Sequence, residues 1–250
     1  MNILQIPSDY LTLTAALVDL DTTGITGPTS IELGQDYFPL FETYPIIIGQ
    51  IPGSSSTNTL TIRPSADATG IVIAPLAPFF DPNMLTFYTP PPKQITMDLQ
   101  NASNVFIYGR PGGVGAQSQL TIQNFSVAGN AIRFVYGANN NCIKYCTLEG
   151  LNSASNYTNS PAVILFDSTG SKSNPTLQGA INTKDTILNC IVRGTGDTTP
   201  VYNTIYSSGV NDLNGNNFIS NNEIADFTNA GIIVPPAGNG GNSASTCACV

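Results

Sequence analysis

The segment Gly129–Gly150, GNAIRFVYGANNNCIKYCTLEG, contains two short apolar stretches joined by an asparagine-rich turn. Its second stretch spaces three core-type residues, Ile143, Cys146 and Leu148, at offsets of three and two residues. The same offsets recur downstream in DTILNCIVRG, at Ile187, Cys190 and Val192, and in NFISNNEIADF, at Ile219, Asn222 and Ile224. A supersecondary unit that recurs along one chain is typical of a solenoid.

The first apolar stretch recurs as well: AIRF at Ala131 is followed by AVILF at Ala162, NTIYSS at Asn203 and AGIIV at Ala230. Each stretch is too short to form a stable sheet alone, and its apolar side chains point to one side of a strand. Stacking of such strands about 4.8 Å apart would bury those sides against one another. We therefore predict three interior columns: Ile143, Ile187 and Ile219; Cys146, Cys190 and Asn222; and Leu148, Val192 and Ile224.

Composition favours one continuous all-β body. The chain has 250 residues, of which 41% are hydrophobic and only 10% are charged, so Asn, Ser, Thr and Gly must form most of the surface. That composition suits short strands with many tight turns. The net charge of −8 argues against nucleic acid as a partner. No segment reads as a signal peptide, and no run is long enough to be inserted in a membrane as a helix.

Five cysteines and the absence of histidine shape the chemistry that we expect. A structural metal site usually needs two well-spaced pairs of ligands, and histidine is commonly among them, so we predict no metal site. Cys146 and Cys190 are interpreted as small buried residues of one column. A disulfide between stacked strands is the alternative, because neighbouring strands lie close to the separation that a disulfide requires.

The residues before the repeat predict a capping helix. Ser8–Asp21 has a broad apolar face, Ser8 or Asp9 is a suitable N-cap, and Gly24 stands where a helix would end. A helix at this place would cover the open end of a solenoid core. We therefore divide the chain into a capping helix at 1–24, a solenoid at 25–236 and an irregular tail at 237–250.

Pro75–Pro92 interrupts the strand pattern with six prolines. Proline is excluded from central strands, so this segment is predicted to be a loop. It also contains the aromatic residues Phe79, Phe80, Phe87 and Tyr88. They are expected to pack back on the body, and the alternative is that they contact a ligand, since aromatic faces stack on sugars.

The quoted repeats, together with YLTLTAALVDLDTTGITGPTSIEL and VFIYGRPGGVG, resemble a right-handed parallel β-helix of the pectate-lyase-like superfamily. The resemblance covers about residues 10–235 and is closer to β-helix segments of large secreted surface proteins of Bacteroidota-type bacteria. It implies a right-handed parallel β-helix with an N-terminal α-helical cap. It further implies a secreted or cell-surface location and a structural, adhesive or carbohydrate-facing role, with glycans or cell-surface components as partners.

Enzymes with a β-helix fold need particular charged side chains close together. A polysaccharide lyase would need carboxylates that hold Ca²⁺ and a nearby Lys or Arg base, and a glycoside hydrolase would need paired carboxylates. No DxDxD cluster or adjacent Asp pair is present. The candidate residues for an enzyme are Asp167, Lys184, Asp185 and Arg193.

Three functions follow in order of preference. The first is a non-catalytic extracellular β-solenoid, structural or adhesive, that needs no cofactor. The second is a lyase or hydrolase of the same fold, and the third is a filament subunit that associates end to end through unpaired strand edges.

Overall fold

Most of the described chain is β-strand. The computed structural model describes residues 1–77, 79–81, 86–88, 94–115, 117–153, 162–167, 181–196, 200–208, 214–234 and 248–249. These residues include one α-helix, α1 (Leu13–Thr23), and two 3-10 turns, Pro39–Phe41 and Pro111–Gly113. The strands are β1 (Asn2–Ile6), β2 (Thr29–Leu33), β3 (Ile46–Ile48), β4 (Leu60–Pro64), β5 (Ile71–Ile73), β6 (Phe79–Asp81), β7 (Thr86–Tyr88), β8 (Ile95–Gln100), β9 (Val105–Tyr108), β10 (Leu120–Asn124), β11 (Asn130–Val135), β12 (Cys142–Lys144), β13 (Thr147–Gly150), β14 (Ile164–Asp167), β15 (Thr186–Leu188), β16 (Ile191–Gly194), β17 (Val201–Ser208), β18 (Phe218–Ser220), β19 (Glu223–Ile224), β20 (Phe227–Ile233) and β21 (Ala248–Cys249).

Nineteen of these strands form three parallel sheets. Sheet A has the order β1-β2-β4-β9-β12-β15-β18-β21, sheet B the order β20-β17-β14-β11-β8-β3, and sheet C the order β19-β16-β13-β10-β5. From β4 onward the parallel strands follow one another along the chain in the cycle A, C, B. We call one such round of three strands a coil. This arrangement is compatible with a parallel β-helix.

The strand register stacks equivalent apolar residues over one another. In sheet A, Ile143 pairs with Ile187, and Ile187 pairs with Ile219. The side chains of Ile143 and Ile187 are fully buried. In sheet B the rings of Phe134 and Phe166 stack with centroids 4.6 Å apart. The core is therefore a set of columns that run through the coils, and no single coil could bury its own apolar side.

The predicted column of Cys146, Cys190 and Asn222 lies at the turn between sheets A and C. The thiol of Cys146 donates to Ile107 O and that of Cys190 donates to Ile143 O, at 3.7 and 3.6 Å. In the next coil the amide of Asn222 donates in the same way to Ile187 O at 2.9 Å. Cysteine thus occupies the same position as asparagine in these coils, with its thiol aimed at the equivalent carbonyl. The three cysteines of the described core, Cys142, Cys146 and Cys190, are free thiols.

The helix begins later than the sequence predicted. It spans Leu13–Thr23 with Thr12 as N-cap, and Gly24 follows it as expected. The proposed N-cap Asp9 instead accepts a hydrogen bond from the Gln5 backbone and closes a turn after β1. Segment 1–24 therefore contains a strand, which pairs with β2, as well as the helix.

Two further segments differ from the sequence interpretation. Strands β6 and β7 of the proline-rich segment pair antiparallel, apart from the three parallel sheets, where a loop was predicted. In the predicted tail, Ala248–Cys249 pairs with β18, whereas 237–247 lies outside the described residues.

Candidate functional site

The residues proposed for an enzyme lie in three different environments. Asp167 is on the outer side of sheet B, where its carboxylate accepts from the Ser208 hydroxyl at 3.2 Å. Arg193 is on sheet C and forms an ion pair with Glu149 at 2.9 Å. Asp185 is fully buried at the turn before β15, and its neighbour Lys184 is exposed. These side chains therefore do not form one reaction centre.

One cluster does bring two carboxylates to one guanidinium group. Arg133 on β11 forms a two-atom contact with Asp98 on β8, with distances of 2.9 and 2.7 Å. The same guanidinium lies 3.6 Å from Asp167 on β14. Asp98 is only 1% exposed and Asp167 only 7%. The cluster is thus a largely buried ion-pair network that joins three strands of sheet B, and it differs from an open catalytic groove in which a carboxylate meets water.

The outer face of sheet A carries an aromatic groove. On β9 the residues Val105 and Ile107 point into the core, so Phe106 and Tyr108 point outward. They border a groove of about 320 Å³. The groove is lined by Thr59, Thr61, Arg63, Phe106, Tyr108 and Gly113.

Tyr145 extends this groove along the sheet. Its ring meets that of Tyr108 edge to face, with centroids 5.3 Å apart. The guanidinium of Arg110 lies 3.5 Å from the centroid of Tyr145, and the Lys144 ammonium lies 4.9 Å from it. We call Tyr108, Arg110, Lys144 and Tyr145 the aromatic–cation site. Aromatic faces stack on sugar rings, and guanidinium and ammonium groups bind carboxylates or sulfates.

The backbone of Tyr145 is in the left-handed region, with φ of +56°. The strand register places Asn189 and Asn221 at the same turn of the next two coils, and both are left-handed there, with φ of +53°. Asparagine tolerates this conformation, whereas a bulky residue is strained by roughly 1–2 kcal/mol. A tyrosine held there at such a cost points to a role for its side chain, since strained residues cluster at functional sites.

The cations of the site are available for a ligand. Arg63, at the edge of the groove, is occupied by a two-atom pair with Glu32. Among the described residues, by contrast, no ion pair is formed by Arg110 or Lys144. The buried Nε of Arg110 also has no hydrogen-bond acceptor there.

Sequence reasoning missed this site. It named Lys184 and Arg193 as the candidate cations, and only the register of β9 on β12 brings Arg110 next to Tyr145. A signal existed in the alignment of VFIYGR with CIKYC, because tyrosine replaces the glycine or asparagine that other coils use at this turn. The aromatic candidates Phe79, Phe80, Phe87 and Tyr88 lie on β6 and β7, and their side chains fall outside the described part of the structure.

Two further features of the described residues bear on function. No group of three or more His, Cys, Asp or Glu side chains is arranged there to hold a metal ion. No described helix has both the length and the apolar character needed to cross a membrane.

Comparison with protein-family models, with curated proteins and with solved structures finds no match to this chain.

Proposed function

We propose that the protein is a non-catalytic β-solenoid module that binds an acidic polysaccharide on the outer face of sheet A. In this proposal the three sheets form a right-handed parallel β-helix with α1 as its N-terminal cap. The location is the cell surface or the extracellular space, and this part of the proposal rests on the resemblance of the repeats to secreted surface proteins.

The observation that carries the proposal is the position of Tyr145. A tyrosine stands at a left-handed turn where the next two coils have Asn189 and Asn221, and its ring lies against Tyr108 and Arg110. Packing of the core does not require this ring, because the same turn is made without one elsewhere. A half-buried aromatic pair beside a groove suits a sugar chain that stacks on the rings.

The charge of the site favours an acidic chain over a neutral one. Arg110 and Lys144 approach the same ring, and the described residues provide neither with a carboxylate. The protein as a whole carries a net charge of −8, so these two cations form a local exception. Charge-assisted hydrogen bonds to uronate or sulfate groups would hold the chain in register on the sheet.

The pairing of the outward carboxylates supports a binding role over a catalytic one. Asp98 and Asp167 share Arg133, and Glu149 is held by Arg193. A general acid or a nucleophile needs access to substrate and a pKa suited to its task. Carboxylates that are buried and paired with arginine lack that access.

The test is a polysaccharide panel that scores binding and cleavage separately. Polygalacturonate and dextran sulfate supply carboxylate and sulfate, while the methyl ester of polygalacturonate and plain dextran lack the charge. Each is incubated with the protein with and without Ca²⁺, and unsaturated products are followed by ultraviolet absorption. The proposal predicts binding of a charged chain without cleavage. Products from any chain would establish an enzyme, and absence of binding to both charged chains would contradict the proposal.

A further inference from the structure

The turn that leads into sheet A contains a ladder of amide side chains inside the body. In one coil Asn141 accepts a hydrogen bond through Oδ1 from Val105 N at 3.0 Å, and its Nδ2 donates to Ala102 O at 2.9 Å. Two coils later Asn217 accepts from Asp185 N at 3.0 Å and donates to Asn182 O at 3.2 Å. We call each of these side chains a rung of the ladder. Each rung accepts from a backbone N–H of the preceding coil and donates to the backbone carbonyl three residues before that N–H.

Asp185 occupies the rung between these two asparagines. Its Oδ1 accepts from Asn141 N at 3.0 Å, as the ladder requires, and from Asn141 Nδ2 at 2.8 Å. Its Oδ2 is buried and has no partner among the described residues. By the register of the ladder, the carbonyl that corresponds to this oxygen is Ala138 O, three residues before Asn141. An asparagine would place its amide donor there, whereas an ionised carboxylate has nothing to donate.

A proton on Oδ2 would restore the missing donor. A carboxylic acid carries one O–H donor and one carbonyl acceptor, the same pair of functions that a primary amide offers in this ladder. The ionised form would leave a buried negative charge that no described residue pairs as a counter-ion, which is strongly unfavourable. The neighbouring rungs, Asn141 and Asn217, are uncharged. The nearest titratable side chains along the chain and on the preceding strand are Lys184, which is exposed, and Cys142.

We propose that Asp185 is a proton-dependent rung of this ladder, protonated in the folded protein and responsible for a loss of stability when the proton leaves. Burial raises the pKa of Asp185 to about 7, and the hydrogen bonds from Asn141 oppose that rise. Asp185 lies in the interior of the fold, so this role is independent of the aromatic–cation site.

The direction in which stability changes with pH follows from the difference in the pKa of Asp185 between the folded and the unfolded protein. The pKa of Asp185 is higher in the folded protein than the ordinary aspartate value of 3.8, so between these two values the folded state holds a proton that the unfolded state has released. The stabilisation is therefore complete below about pH 4, declines as the pH rises toward about 7, and is absent above it. Carboxylates stabilised in their ionised form would give the opposite trend.

The experiment compares the wild-type protein with Asp185→Asn, which always presents the amide. Asp226→Asn is the matched control, because Asp226 is exposed. Denaturant unfolding is measured from pH 4 to pH 8. The ratio of the wild-type unfolding constant to that of Asp185→Asn should grow with pH, by up to about tenfold per pH unit, while the control ratio stays flat. A ratio that does not change with pH would overturn the proposal.

A second measurement needs no variant and covers the case in which Asp185→Asn fails to fold. Carbon-13 labelling of the aspartate carboxyls follows each titration by NMR in the native protein, and the signal of Asp185 is the one expected to be neutral at pH 5. If every aspartate carboxyl of the folded protein is ionised at pH 5, the proposal is wrong.

Discussion

The guanidinium of Arg110 lies over the ring of Tyr145, 3.5 Å from its centroid, at a turn where the tyrosine backbone is left-handed. The two residues belong to successive coils, so their contact depends on the stacking of β9 on β12. The contact joins an unpaired cation to an aromatic surface on the outside of the molecule. It is the feature from which the proposed function follows.

Replacing Tyr145 by the asparagine that neighbouring coils use should leave the fold intact. Relief of the left-handed strain gains roughly 1–2 kcal/mol, and loss of the cation–π contact and of the edge-to-face contact with Tyr108 costs a comparable amount. We therefore expect the free energy of unfolding of Tyr145→Asn to lie close to that of the wild type in denaturant titration. A marked loss of stability would show that the ring serves the fold instead of a ligand.

Removing the charge of Arg110 should weaken binding of acidic chains selectively. A hydrogen bond to a charged group contributes about 1.5–3 kcal/mol, so Arg110→Gln should reduce affinity for the charged polysaccharide by about ten- to hundredfold. Arg193→Gln on sheet C is the matched control, since it removes an arginine that is already paired with Glu149. Equal losses for the two variants would mean that only overall charge matters.

The core columns should respond to truncation as close-packed sites do. Ile187 is fully buried between Ile143 and Ile219, so Ile187→Ala should cost about 2–5 kcal/mol of unfolding free energy. Thr186→Ala on the outward side of the same strand should change the free energy by no more than about 0.5 kcal/mol. Similar values for both would contradict the register of β15.

The register of these columns could be read from the sequence, because the offsets among Ile143, Cys146 and Leu148 recur in two later coils. The helix start could not, since it depends on a distant residue. Glu42 accepts from the backbone of Leu13 and Thr14, at 2.6 and 2.9 Å, and thereby satisfies the first turn of α1. A contact between two particular side chains of different coils leaves no pattern within either segment. The contact of Arg110 with Tyr145 is of this kind, and the aromatic–cation site was missed for that reason.

The buried thiols should be unreactive while the protein is folded. Cys146 and Cys190 are 1% exposed, and burial raises the pKa of Cys146. Because the thiolate is the reactive form and the reagent must reach the sulfur, an alkylating reagent at pH 8 should modify these two residues only after unfolding. Cys142, which is half-buried, Cys247 and Cys249 are replaced by serine so that no other thiol is counted. Rapid modification of the folded protein would contradict the packing of the cysteine column.

The most direct test of the proposed function is calorimetric titration of wild-type protein and Tyr145→Asn with the charged polysaccharide selected by the panel. The variant is first shown to unfold at the same denaturant concentration as the wild type or above it. We predict measurable binding by the wild type and a loss of affinity of about two- to tenfold in the variant, since stacking on an aromatic ring contributes about 0.5–1.5 kcal/mol. Equal affinity of the two proteins would contradict the assignment of the site.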